Sequence, residues 1–367
     1  MVPPHFHYNE DRSHLTIDNS VTSIPNGSYP CIETIITVVL PAGLQKIGNG
    51  AFQNCTTSLR NIELNEGLES IGNRTFAGCK SIIRVCIPST VTKIGGEAFN
   101  HCISLTELQL HEGRLHEIGG LFQGCDSLTC VTLLPLTIKH IADGAFNGCD
   151  SWKELHLNEG LHMLLTAFQD CTSLTNIHIP SSVEIIGILD LELMKKKKKE
   201  GPFAGCTALT NIVIPSNVVA IGLGAFNHCT SLTSLELCDG IHTISGAFKG
   251  CTSLTTIDIP STIEPLHFGS FDRCTSLMKV HLSKGISWLG TCFQHCTSLI
   301  HIRMPSSLSG CKAFDGCTAL RELELCDGLE SIEGFHDCLL THLTIPSTVV
   351  ELSDGAYSGA QSWKRFI

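Results

Sequence analysis

Thirteen cysteines of this 367-residue chain each stand three residues after a phenylalanine, or after its equivalent in the same pattern. They are Cys55, Cys79, Cys102, Cys125, Cys149, Cys171, Cys206, Cys229, Cys251, Cys274, Cys296, Cys317 and Cys338. A thiol can be a nucleophile, half of a disulfide, a metal ligand, or a small buried side chain. Neighbouring residues decide little in favour of chemistry. Cys292 makes a C-x-x-x-C with Cys296, but no second pair follows to complete a zinc set. Cys238 and Cys326, both in "LCDG", read as more exposed, yet no base or cation beside them in sequence would activate a thiolate. His156 and His178 recur at one position of neighbouring units and form only a single pair. Neither a Walker loop nor an HExxH motif occurs, and eighteen histidines make chance Ser-His-Asp matches easy. The expectation is no catalytic residue, no metal and no cofactor, with the thiols reduced and buried.

The Phe-x-x-Cys element belongs to a longer repeating unit. "AFQNCTTSL" at 51–59, "AFNHCISL" at 98–105, "AFKGCTSL" at 247–254 and "AFDGCTAL" at 313–320 are four of thirteen copies. Their phenylalanines are spaced by 24, 23, 23, 24, 22, 35, 23, 22, 23, 22, 21 and 21 residues. A fixed period of this size marks a solenoid, in which each coil buries its apolar face only against its neighbours. A small side chain at one place in every coil then builds an interior ladder. An odd number of thiols in one column argues against pairing them as disulfides.

Residues 225–248 show what positions these side chains. Phe226 and Cys229 are three apart, so a short helical turn would aim both inward. Leu232, Leu235 and Leu237 follow in L-x-x-L-x-L spacing, which ends in the alternation of a short strand with one face buried. A turn comes next, then Ile241 and Ile244 before the next phenylalanine. That turn has two forms, Ile-Pro-Ser as in "DIPSTI" and acidic-Gly as in "ELNEGL", which largely alternate. Proline lacks an N–H and belongs where the strand leaves the ladder.

The alternation fails once, at the 35-residue step, where "ILDLELMKKKKKEG" occupies 188–201. A lysine run of this kind is a docking loop or import signal, or simply a solvated insertion. The organisation expected is a degenerate N-terminal cap and first strands over 1–50, repeats one to six over 51–187, and the Lys-rich insertion loop over 188–201. Repeats seven to thirteen then cover 202–354, and a truncated repeat covers 355–367, with Tyr357 for Phe and Ala360 for Cys.

Composition narrows the partners. A net charge of −11 argues against a general nucleic-acid binder. No stretch approaches the ~20 apolar residues that cross a bilayer as a helix. The opening "MVPPHFHYNEDRSH" has neither the basic start nor the apolar core of a secretory leader. The location expected is the cytoplasm, with the cell surface as the alternative.

The unit "AFxxCxSLxxIxIPSxVxxIGxxAF" resembles the leucine-rich repeat of BspA type, from about residue 15 to 359. The resemblance implies a β-rich solenoid, a right-handed leucine-rich-repeat coil of about thirteen repeats of 21–24 residues with short parallel strands. It implies use as a non-enzymatic protein–protein interaction scaffold. Adhesins on bacterial and protozoan surfaces belong to the family, so a surface adhesin or receptor fragment is the alternative. The partner expected is another protein, of unknown identity.

Recognition would then fall to outward strand positions, which vary from coil to coil while the inward ones barely change. One outward column contains Glu63, Cys86, Gln109, Thr132, His156, His178, Val213, Glu236, Asp258, His281, Arg303, Glu324 and Thr344. Two residues earlier, a second contains Asn61, Arg84, Glu107, Cys130, Lys279, His301, Glu322 and His342. Neighbouring strands lie about 5 Å apart, so Lys279, His281, His301 and Arg303 are expected to form a basic patch beside Glu322 and Glu324. In an acidic chain that contrast is the candidate protein-binding face. The alternative is that the two charge groups pair with each other across the coils, which is worth little when exposed.

Overall fold

The computed structural model describes residues 6–28, 34–55, 58–131, 134–142, 144–189, 200–264, 266–267, 269–343 and 345–352. Most of the Lys-rich insertion, the repeat begun by Tyr357, and Thr132 and Thr344 of the outward columns lie outside the described residues. The chain forms two compact units, Met1–Leu174 and Thr175–Ile367. Each is a parallel β-solenoid.

Each coil supplies two short strands. In the first unit one series runs His14–Ile17, Thr37–Val39 and Asn61–Ile62, then Arg84–Ile87, Glu107–Leu110 and Cys130–Val131. Phe6–Tyr8 pairs antiparallel with the first of these. The second series includes Ser23–Ile24, Lys46–Ile47, Ser70–Ile71 and Lys93–Ile94. In the second unit the corresponding series is continuous from Ile185–Ile186 through Ala220–Ile221, Thr243–Ser245, Leu266–His267, Trp288–Leu289, Gly310–Lys312 and Ser331–Glu333 to Glu351–Leu352. Pairing sets like on like: Ile257 meets Val280 and Ile259 meets Leu282, so the inward face continues from coil to coil.

The core is a column of rings and a column of thiols. Phe52, Phe76, Phe99, Phe122, Phe146 and Phe168 stack in the first unit with centroids 5.1–5.5 Å apart. In the second unit Phe203, Phe226, Phe248, Phe271, Phe293, Phe314 and Phe335 stack at 5.3–5.6 Å. These separations fall in the range of offset stacking, which adds about 0.5–1.5 kcal/mol per pair beyond burial. Trp152, where other coils place leucine, packs edge-on against Phe146 at 5.1 Å. All thirteen ladder cysteines are buried.

The expected helical turn between phenylalanine and cysteine does not form, and no described residue is helical. The chain makes one tight turn instead, closed by bonds such as Cys229 N to Phe226 O at 3.3 Å. The residue before each ladder cysteine has a positive φ. It is Gly78, Gly124, Gly148, Gly205, Gly250 or Gly316 in six coils, and Asn54, His101, Asp170, His228, Arg273, His295 or Asp337 in the rest. A left-handed residue cannot continue an α-helix. It turns its N–H outward to the next coil, as His228 N does to Lys249 O at 2.7 Å. Phe226 N likewise reaches Ala247 O at 2.7 Å. Main-chain donors that a helix would use internally therefore join successive coils.

Both turn forms after the strand give one geometry. Val91 N bonds Pro88 O at 3.2 Å in the Ile-Pro-Ser form, and Leu68 N bonds Asn65 O at 3.2 Å in the acidic-Gly form. The glycine of the Ile-Gly element is a matter of close approach. A Cβ on Gly95 would stand 2.3 Å from Asn73 N.

Candidate protein-binding face

The eighteen cysteines whose side chains are described are all free. Burial pushes the thiols of Cys102, Cys171 and Cys251 up to about 12, so they stay protonated at neutral pH. Along the ladder S–H groups point lengthwise, from one coil to the preceding one. Cys251 Sγ donates to Phe226 O at 3.3 Å, Cys274 Sγ to Phe248 O at 3.4 Å, and Cys296 Sγ to Phe271 O at 3.3 Å. A protonated, buried thiol engaged with a carbonyl is a structural group. Cys238 and Cys326 are half-buried and donate to Ile214 O at 2.8 Å and Met304 O at 2.7 Å. No group of three or more His, Cys, Asp and Glu is placed to hold a metal among the described residues.

The six candidate face residues all belong to the second unit and all are exposed. Strand alternation puts them there: Val280, Ile302 and Leu323 are buried between them. Lys279 and His281 lie on Lys279–Leu282, which pairs with Thr256–Ile259 and sets Asp258 opposite His281. His301 and Arg303 lie on His301–Arg303, which pairs with Glu322–Glu324. The two strand pairs lie side by side.

The acidic neighbour is engaged. Glu324 accepts from His301 Nε2 at 3.1 Å and lies 3.5 Å from Arg303 Nε, with Arg303 three-quarters exposed. His281 lies 3.9 Å from Asp258. Exposed pairs of this kind contribute little to stability, about 0–1 kcal/mol each. The Arg303 contact is made through Nε, on a side chain that is mostly exposed. Across this strip, therefore, Glu324 pairs with His301 and Arg303 of the adjoining coil, and His281 lies near Asp258 on the other side.

Two arrangements escaped the sequence reading. Asp272, whose side chain is 10 % exposed, holds Lys249 Nζ at 2.8 Å, His295 Nδ1 at 3.1 Å and Arg273 Nε at 3.7 Å. It follows its phenylalanine directly, at the place where Asn100, Asn147 and Asn227 accept an N–H from the next coil. A recurring Asn/Asp there was the available signal. The second is a contact between Cys86 and His111, 25 residues apart. Cys86 was legible as outward-facing, but its partner stands at a turn position that Asn65 and Pro88 occupy in the two preceding coils.

Comparison with known proteins bears on the whole chain. The family model for the BspA type leucine rich repeat region (6 copies) matches residues 2–120, 70–189, 197–310 and 291–367. A crystal structure of a leucine-rich repeat protein from Bacteroides ovatus is 23 % identical, with 94 % of this chain and 93 % of that chain covered and a TM-score of 0.50. One from Eubacterium ventriosum is 19 % identical, covering 99 % of this chain and 95 % of that chain, with a TM-score of 0.51. No curated protein matches the sequence. Among the described residues no helix is long and apolar enough to cross a membrane.

Proposed function

The chain belongs to the BspA-type leucine-rich repeat family, and from that membership we propose that it is a non-enzymatic scaffold that binds another protein through exposed strand positions of its coils. The observation that carries this reading is the contrast along each strand. Buried positions repeat as Leu, Ile or Val, while the exposed positions between them vary widely from coil to coil. Packing requires the first and places no demand on the second.

Within that reading, Lys279, His281, His301, Arg303, Glu322 and Glu324 are the proposed contact strip. Arg303 is its anchor, because a largely exposed guanidinium can take a partner carboxylate bidentately. Lys279 adds a second cation on the adjoining strand. The test is affinity capture with the intact protein, repeated with Lys279→Glu plus Arg303→Glu in a protein whose thermal melt is unchanged. Loss of a captured protein at low and moderate salt supports the strip. An unchanged set of partners removes it as the binding face.

A further inference from the structure

The first unit carries a groove of about 750 Å³ on the exposed side of its strands, with Val39, Asn61, Glu63, Arg84, Cys86 and Gln109 among its walls. Cys86 is the nucleophilic side chain in that wall. Its Sγ lies 3.1 Å from His111 Nε2. Both residues are held by paired main chain. Cys86 lies in Arg84–Ile87 opposite Gln109, and His111 N donates to Ile87 O at 3.2 Å. The pair is thus fixed by two adjacent coils.

Of the three half-buried thiols among the described residues, Cys86 is the one that lies against an imidazole. Those of Cys238 and Cys326 donate to main-chain carbonyls. Around Cys86 the charges are mixed. Burial pushes its thiol up, Arg84 pulls it down, and Glu66 and Glu107 push it up again. The sulfur is therefore protonated at neutral pH, and its reactivity depends on a base within reach. His111 is that base, placed for proton transfer as a cysteine–histidine pair requires. Arg84 gives Nη2 to Glu107 at 2.7 Å and also lines the groove, in the same strand as the thiol.

We propose that Cys86 is a thiol-exchange site that takes a small anionic disulfide of the glutathione class into this groove. His111 Nε2 accepts the Cys86 proton. The thiolate sulfur attacks one sulfur of the incoming disulfide, whose S–S bond breaks as the new Cys86 S–S bond forms. The departing thiolate takes the proton from the His111 imidazolium. The oxidant is the disulfide itself: one disulfide is consumed, one mixed disulfide is made, and one free thiol leaves. Arg84 receives a carboxylate of the co-reactant.

The experiment exposes the full-length reduced protein to oxidised glutathione, quenches with acid, and follows each cysteine by peptide mass spectrometry. Cys86 is expected to form its mixed disulfide at least about tenfold faster than Cys238 or Cys326. His111→Gln is expected to slow Cys86 about tenfold while leaving Cys238 and Cys326 unchanged, which also reports an intact fold. Arg84→Gln is expected to slow exchange with oxidised glutathione clearly more than with neutral bis(2-hydroxyethyl) disulfide, since it removes both a carboxylate partner and a cation beside the thiol. Equal rates at Cys86 and Cys238, or no effect of His111→Gln, overturns the site. Equal slowing with both disulfides, or with neither, overturns the anionic co-reactant.

Discussion

The S–H of Cys251 donates to the backbone carbonyl of Phe226, one coil away, at 3.3 Å. The same carbonyl accepts the N–H of Cys229 within its own coil at 3.3 Å. One oxygen thus closes a turn and ties that turn to the next. Cys251→Ala removes only the weaker, sulfur-borne contact and a small volume, so a loss of about 1 kcal/mol is expected. Cys251→Asp places an unpaired charge in the core and is expected to abolish cooperative folding of its unit. Urea unfolding followed by circular dichroism separates the two. A Cys251→Asp midpoint equal to wild type would end the buried-ladder account.

Alkali should erode whatever Cys251 contributes. Its folded pKa is raised to about 12 from an ordinary 9.0, chiefly by burial. A raised pKa means that the contribution is complete below pH 9 and is lost as pH climbs through about 12. The stability gap between wild type and Cys251→Ala is therefore expected to shrink above pH 9, at up to about 1.4 kcal/mol per pH unit. Urea midpoints at pH 8 and pH 10 for the two proteins measure it. A gap that widens with pH contradicts the assignment.

The ring column predicts a larger effect. Phe226→Ala leaves a void between Phe203 and Phe248, each 5.3 Å away, and is expected to cost about 3–5 kcal/mol. Phe226→Leu, which keeps most of the volume, is expected to cost clearly less. Thermal melts of the two variants rank them.

Position 273 carries the one left-handed residue before a ladder cysteine that is not Gly, Asn, Asp or His. Arg273→Gly is expected to stabilise by up to about 1 kcal/mol, because the left-handed penalty outweighs a 3.7 Å contact with Asp272, which keeps Lys249 and His295 as closer partners. The reverse change, Gly250→Val, is expected to destabilise: φ is 73° there and a Cβ would stand 2.7 Å from His228 Nδ1. Denaturation midpoints of both should move in opposite directions.

The interruption between repeats gives a test of organisation. Deleting residues 189–200 keeps Ile188, which bridges to Leu223, and Gly201, which abuts Ala225. We propose that the segment lies outside the repeating unit, so the shortened protein is expected to melt within a few degrees of the parent. Insoluble protein would show that the segment packs as part of a coil.

Period and burial were legible in the sequence because every coil repeats the same packing problem, and Phe226, Cys229 and Leu232 recur with one spacing. The helical turn was misread because Phe-x-x-Cys spacing fits a helix face as well as a tight turn. The residue between them held the answer: Gly, Asn, Asp and His alternate at the position before cysteine, and they share tolerance of positive φ. Glu324, by contrast, could be placed beside Arg303 but not assigned to it, since register fixes which strands meet and not which side chains turn toward each other.

Because main-chain bonds run from coil to coil, each unit should respond to tension as a series of similar joints. Peeling one 22-residue coil from Phe226 to Phe248 exchanges a spacing of about 5 Å between neighbouring strands for an extended chain of about 75 Å. A molecule held at its two ends would thus lengthen in many even steps at nearly constant force. It would absorb a pull gradually where a domain locked by one large core gives way at once.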